Sequence, residues 1–429
     1  MISKASATIA KVHLTLAQYE QRAHAANQFK GQTEALNQLR FGLFGEIGGL
    51  LAAVKKSHRD VGAAEQAIVR EELGDCVWYL TAVAAEYQHS FEEVGSAALL
   101  ELQRRFAVNK PAFSDALTFV PFDGLLALCH EQLVSLDRYR QLLDLASHAG
   151  QLMNGAGARD LASTSALDLL GALMADMVTV AGMFELTFIE VVRFNLEKFE
   201  SRWPQSEALY VEPFDGVRPL IEQFPRVFEM HFVEREYDDG KPYVIQRLND
   251  VNIGDRLTDN RTQPDGYRYH DVFHLAYIAH LGWSPVIRSL LKLKRKGDKN
   301  LDENEDGARA MIIEEGIATW IFNHAHRRDY YENTAIGKLE YGLLKQVHDM
   351  VNGYEVAACP LWQWERAILD GFKVFRALRD AGSGIVKVDM LNHTINFAPL
   401  VVPPDPTPPP RVRRPLNIGA SLPLLEEKP

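Results

Sequence analysis

Across residues 13–204, apolar side chains recur at spacings of three and four, and prolines are few. That period puts one apolar stripe on each helix, so the stretch must fold as helices burying those stripes against one another. The expected helices are 15–29, 35–57, 63–88, 90–106, 123–154, 165–185 and 187–202. Residues 57–62 (SHRDVG) read as a helix–helix loop. Trp203-Pro204 closes the region, since proline ends helices. The stretch also repeats itself. Phe91-Glu92-Glu93-Val94 resembles Phe188-Ile189-Glu190-Val191, and Arg105-Phe106 resembles Arg202-Trp203, both at an offset of 97. Upstream, FGEIGGL from Phe44 resembles ASHAGQL from Ala146, at an offset of 102. Two copies of one four-helix unit, the second eroded, would explain these pairs; coincidence between amphipathic helices is the alternative.

After Pro204 the pattern changes. FEMHFVEREY and PYVIQRL are rich in aromatic and β-branched residues, and Asp238-Asp239-Gly240-Lys241 lies between them. Asp-Gly between two such runs predicts a hairpin. Helices resume at about 268–281, 285–296, 304–327, 335–351 and 361–381, with Ser284-Pro285 supplying an N-cap and a first-turn proline. A last strand is expected at Gly384–Asp389 or in the following HTINF, and the proline-rich stretch from Pro403 reads as an extended tail. The expected fold is mostly α: two helical repeats (13–113 and 120–204), then a helix-rich α+β domain (205–400) and a tail (401–429).

At 429 residues the chain has room for two or three domains. A formal net charge of −11 carries no nucleic-acid signature. Cys76, Cys129 and Cys359 stand far apart with no CxxC spacing, which argues against a disulfide framework and a thiolate zinc site. With no signal-peptide pattern at the N-terminus and no apolar run of membrane-spanning length read from the sequence, a cytoplasmic protein without a membrane partner is expected.

The first chemical cluster is acidic. Glu46 lies on one expected helix, and Glu71, Glu72 and Asp75 on the next. Glu72 and Asp75, three apart, project from one face; Glu71 and Asp75, four apart, could share it instead. Leu43, Leu50, Leu51, Val77 and Trp78 surround them. Carboxylates among apolar neighbours need a cation, and hard oxygen ligands suit Mg²⁺ or Mn²⁺ bridging phosphates. A solvated acidic face is the other reading.

LNQLRFGLFGEIGGLLAAVKK followed by REELGDCVWYLTAVA, after an opening LTLAQYEQRAHAAN, resembles the MazG-type all-α nucleoside triphosphate pyrophosphohydrolases. The resemblance is good over about 13–113 and weak over 120–204. It implies an ExxE motif on one helix and ExxD on the next, matched here by Glu46, Glu72 and Asp75 as metal-binding and catalytic residues. The second Glu of ExxE is replaced by Gly49, so either Glu71 or water fills that place or metal affinity is lowered. Asn195, Lys198 and Arg202 match the family's Asn-x-x-Lys-x-x-x-Arg ending and share one helical face, where the two cations could hold triphosphate oxygens; Lys55 is a further substrate-binding candidate. The first repeat has Ala98, Glu101 and Arg105 at those places, and the second has His148 where the first has Glu46. One half keeps carboxylates and the other keeps cations, which points to one composite site in a pseudo-dimer; a basic helix end favoured by the dipole is the alternative. The resemblance implies Mg²⁺-dependent cleavage of a triphosphate to a monophosphate and pyrophosphate, and helical bundles of this kind could also pair into a homo-oligomer.

The C-terminal region carries a second constellation but no family legible from its motifs. His270 and His274 are four apart on one expected helix face, a metal-ligand spacing, with Asp271 after the first. Ile313-Glu314-Glu315-Gly316, some forty residues on, resembles the third-ligand helix of gluzincin peptidases, although Asp271 stands where those carry their general-base Glu. Zn²⁺ or another transition metal is one expectation here; buried, hydrogen-bonded histidines are the other. Glu305, Asp306 and Arg309 are read as possible pocket residues, and the basic run Lys292–Lys299 as a solvated loop. Two functions therefore compete: a pyrophosphohydrolase with an added C-terminal domain, and a degenerate nucleotide sensor regulating a C-terminal metal hydrolase.

Overall fold

A computed structural model describes residues 14–27, 29–57, 65–108, 117–154, 163–204 and 208–400. The expected 57–62 loop beyond Ser57 and the proline-rich tail lie outside the described residues. The chain divides into two compact units, one of residues 1–210 with 360–362 and one of 211–359 with 363–429. The fold is mostly α, with a small antiparallel sheet in the second unit.

The first unit contains α1 (Leu16–Ala25), α2 (Ala35–Ser57), α3 (Glu65–Glu86), α4 (Phe91–Phe106), α5 (Val120–Leu128), α6 (His130–Ser135), α7 (Arg138–Asn154), α8 (Ser163–Met183) and α9 (Phe188–Arg202). The helix expected over 123–154 is instead broken twice. Leu136 is extended, and the Asp137 carboxylate accepts the N–H groups of Tyr139 and Arg140, which starts α7 afresh.

The two halves of this unit are built alike. α4 and α9 each open with a capping box, Ser90 with Glu93 and Thr187 with Glu190, at the offset of 97. Behind each cap a phenylalanine, Phe91 or Phe188, is fully buried. Each helix start also receives a carboxylate from an earlier helix: Glu20 accepts the Phe91 N–H, and Asp123 accepts the Phe188 N–H. The repeats are not separate bundles, however. α2 packs on α3 and α7 on α8, but α4 lies chiefly on α8 and α9 chiefly on α3, so each copy lends its last helix to the other. Gly74 permits one crossing, because a Cβ there would stand 2.9 Å from Asn195 Cβ; Gly171 permits the other against Ala97. One continuous apolar core results. Within it, the Ala166–Met183 stretch of α8 is long and apolar enough to cross a membrane, contrary to the sequence expectation, yet 67% of it is buried inside this unit as a core helix.

The second unit contains β1 (Val227–Glu236), β2 (Pro242–Leu248), β3 (Val251–Leu257), α10 (Asp271–Leu281), α11 (Pro285–Leu290), α12 (Ala308–His326), α13 (Tyr341–Met350), α14 (Leu361–Ala381), β4 (Gly384–Asp389) and β5 (Thr394–Pro399). The sheet order is β3-β2-β1-β4-β5, with antiparallel neighbours throughout. The Asp239-Gly240 hairpin joins β1 to β2, with Gly240 at φ 79°. β3 is an addition to the sequence reading, and both candidates for a last strand are strands. α11 stops at Leu290, short of the expected 296, since Lys292 takes a positive φ. The basic run is no plain solvated loop: Arg295 is buried and forks onto Asp306 and Glu355. That pairing also occupies Asp306, and Glu305 accepts the Glu355 N–H. Every residue of α10 is buried, Asp271, His274 and His280 included. Such a helix needs partners for its polar groups, and these define the unit's chemistry. All three cysteines are buried and free.

Candidate functional site

In the helical unit, α2 and α3 bring Glu46 toward Glu71, Glu72 and Asp75, and α9 closes on them from the other repeat. Asn195 Nδ2 donates to Asp75 Oδ1 at 3.1 Å, and Lys198 Nζ to Asp75 Oδ2 at 2.5 Å. Lys198 Nζ is also 3.5 Å from Glu71 Oε1. The Tyr19 hydroxyl donates to Asn195 Oδ1 at 2.8 Å, which turns the amide so that its N–H faces the carboxylate. Burial first, then the charges of Asp75 and Glu72, push the Glu46 carboxyl up to about 7, against the pull of Lys198. Gly49, at the place of the missing glutamate, lies under Glu72: a Cβ there would meet Glu72 Oε2 at 2.6 Å.

Two more candidates lie at helix ends. Arg202 is buried with its guanidinium 5.3 Å from the Trp203 ring centroid. Lys55 is exposed at the end of α2, nine residues beyond Glu46 and so roughly 13 Å along the helix.

The counterpart place in the other half is a different object. At the offset of 97, Leu169 and Ala172 stand for Glu72 and Asp75, and Glu101 for Lys198. Asp176, fully buried on α8, gathers Arg105 Nη1 at 2.6 Å, His148 Nδ1 at 2.6 Å and Gln141 Nε2 at 3.2 Å. The hydrogen bond to Asp176 raises the His148 pKa despite burial. Asp176 escaped the sequence reading because it sits alone in an apolar run with no carboxylate three or four residues away.

In the second unit, His270 caps α10 and His274 follows one turn later. His270 Nδ1 contacts the Tyr267 carbonyl at 2.9 Å, and His274 Nδ1 contacts Glu314 Oε1 at 2.8 Å. Both Nε2 atoms thus face the same space. His270 Nε2 is 3.0 Å from Asp271 Oδ1 and 3.7 Å from Glu315 Oε2, while His274 Nε2 is 3.5 Å from Glu315 Oε2. The two glutamates have separate parts. Glu314 is fully buried and also accepts the Val286 N–H at the start of α11; Glu315 is 42% exposed and turns to the imidazoles. Burial opposes charge on His274, yet Glu314 and Glu315 raise its pKa well above the usual range. Asp271 accepts a hydrogen bond from Gln246 of β2, a partner that nothing in the strand's sequence marks. Tyr267 stacks on His270 at 4.3 Å, and its hydroxyl lies 2.6 Å from Thr319 Oγ1.

Residues 209–401 match the family model of the MazG C-terminal domain. The match is a similarity of this region, whose own motifs revealed no family, and it lies outside the helical repeats. The chain matches no curated protein and no solved structure. The similarity to the MazG C-terminal domain hints at chemistry on nucleotides.

Proposed function

We propose that the helical unit is a Mg²⁺-dependent nucleoside triphosphate pyrophosphohydrolase. The observation that carries this reading is the meeting of Glu46, Glu71, Glu72 and Asp75 with Lys198 and Asn195 of the other repeat. A solvated acidic face would not draw a lysine and an amide onto one aspartate. The donor set fits a hard divalent cation: four carboxylates lie at one place, and the charges of Asp75, Glu72 and Glu71 help raise the pKa of Glu46. Glu46, Glu72 and Asp75, with Glu71 in place of the glutamate lost at Gly49, would hold the ion, which supplies neutralisation of phosphate charge. Lys198 would exchange part of its pairing with Asp75 for a phosphate oxygen, and Asn195 would keep Asp75 oriented. A carboxylate of the cluster would take a proton from the attacking water. Water oxygen then bonds to the α-phosphorus, the bond to the bridging oxygen breaks, and pyrophosphate leaves.

A second reading is a nucleotide sensor that binds without turnover. It is favoured by Gly49 beneath the Glu72 carboxylate and by Lys198 neutralising part of the cluster. One experiment separates the two. Pyrophosphate release is measured over a panel of nucleoside triphosphates, with Mg²⁺ and with EDTA, alongside equilibrium binding of the same nucleotides. Mg²⁺-dependent release supports the enzyme; binding with no release supports the sensor; neither binding nor release sinks both.

A further inference from the structure

The sheet unit holds a cluster that the reading above does not use. His270, Asp271 and His274 are all buried, and their ligand atoms lie within 4.8 Å of one another. The fully buried Nε2 of His274 has no hydrogen-bond partner, with Glu315 Oε2 beyond bonding geometry at 3.5 Å. A buried imidazole nitrogen facing two carboxylates is costly unless a proton or a metal satisfies it. The anchoring of both Nδ1 atoms, on the Tyr267 carbonyl and on Glu314, favours the metal: a ligating histidine directs one nitrogen at the ion and donates the other to an oxygen. Gln246 likewise holds one oxygen of Asp271 and leaves the other toward His270. The donor separations of 3.0, 3.5 and 3.7 Å match the edges of a coordination shell with bonds of about 2.0–2.2 Å.

We propose that His270, Asp271, His274 and Glu315 bind a divalent transition metal that is open on one side to a substrate pocket. Two imidazoles with carboxylates select such an ion over Mg²⁺, which takes oxygen ligands. The adjoining pocket, about 540 Å³, is lined by His270, Asp271 and Glu315 together with Asp255, Asn260 and Thr319, and by an apolar wall. Among the described residues its lining contains no lysine or arginine. It therefore suits a small neutral or cationic molecule that offers the metal an oxygen or nitrogen, and not a triphosphate.

The test uses the full chain carrying Asp75→Asn, which silences the helical unit. Protein stripped of metal by chelator, and shown folded by its melting curve, is titrated with Co²⁺ and followed by visible absorption. One equivalent should bind, Zn²⁺ should displace it, and acetohydroxamic acid should shift the spectrum by occupying the open side. His270→Ala and His274→Ala should abolish the bands. Glu315→Gln changes a half-exposed group and so keeps the fold even if the histidine variants do not; it should weaken Co²⁺ binding about tenfold. Folded protein that takes up no Co²⁺, or Glu315→Gln binding equal to the parent, overturns the metal site. A spectrum indifferent to acetohydroxamic acid overturns the open position.

Discussion

The two halves of the helical unit share caps, crossings and core positions, yet they treat buried charge in opposite ways. Around Asp176, an aspartate, an arginine and a histidine close on one another, with Gln141 completing the set. Around Asp75, by contrast, Lys198 pairs with both Asp75 and Glu71, and the crowding of Glu72 and Asp75 beside Glu46 helps hold that carboxyl's pKa near 7. A closed ion-pair cluster stabilises or merely breaks even, and it has no unmet demand for a ligand. Carboxylates that raise one another's pKa destabilise the free protein, and a bound cation relieves that repulsion. The same scaffold thus yields a structural joint on one side and a candidate binding site on the other, and the difference lies in a few substitutions.

The comparison breaks most visibly at Asp75. Asp75→Asn and Glu72→Gln keep volume and delete ligand charge, so each should lower Mg²⁺-dependent pyrophosphate release about a thousandfold, some 4 kcal/mol of barrier. Parent rates in either variant would place the chemistry elsewhere. On the other side, Asp176→Ala should cost about 3–5 kcal/mol of stability, because Arg105 and His148 lose their shared counter-charge in a buried place. Urea denaturation reads that loss, while turnover per folded molecule should stay at the parent value. A fall in turnover without a fall in stability would mean that the two sides are functionally alike.

Lys198→Ala should sharpen the contrast by a smaller amount. It should raise the KM for triphosphate about tenfold, roughly 1.4 kcal/mol, with a lesser change in kcat. An unchanged KM would leave Lys198 as a purely structural counter-ion. An effect of similar size concerns pH. Glu46 has a folded pKa of about 7, above the ordinary 4.5, so the folded chain holds an extra proton between those values. In metal-free protein this contribution to stability is present at low pH and is lost as pH rises from about 4.5 through 7. Glu46→Gln should remove the dependence and raise the melting temperature at pH 8, by about 1–2 kcal/mol of stability. Parallel pH profiles for parent and variant would contradict the shifted carboxyl.

Much of this was determined by sequence alone. Helical spacing committed residues 13–204 to packed helices, the repeat at an offset of 97 paired the starts of α4 and α9, and Asp239-Gly240 announced the hairpin. The spacing of Glu72, Asp75, Asn195 and Lys198 put each pair on one helical face. These are local signals, set by backbone geometry within one turn or one hairpin. What only the tertiary structure decided is which faces meet. That α9 crosses onto α3 and α4 onto α8 depends on glycines such as Gly74 and Gly171, whose lack of a side chain matters only at a close crossing. Asp176, Gln246 and the division of labour between Glu314 and Glu315 were invisible for the same reason. Each acquires its role from a partner 25 or more residues away, and the strength of a buried charge interaction depends on the desolvated distance between groups, which no local pattern carries.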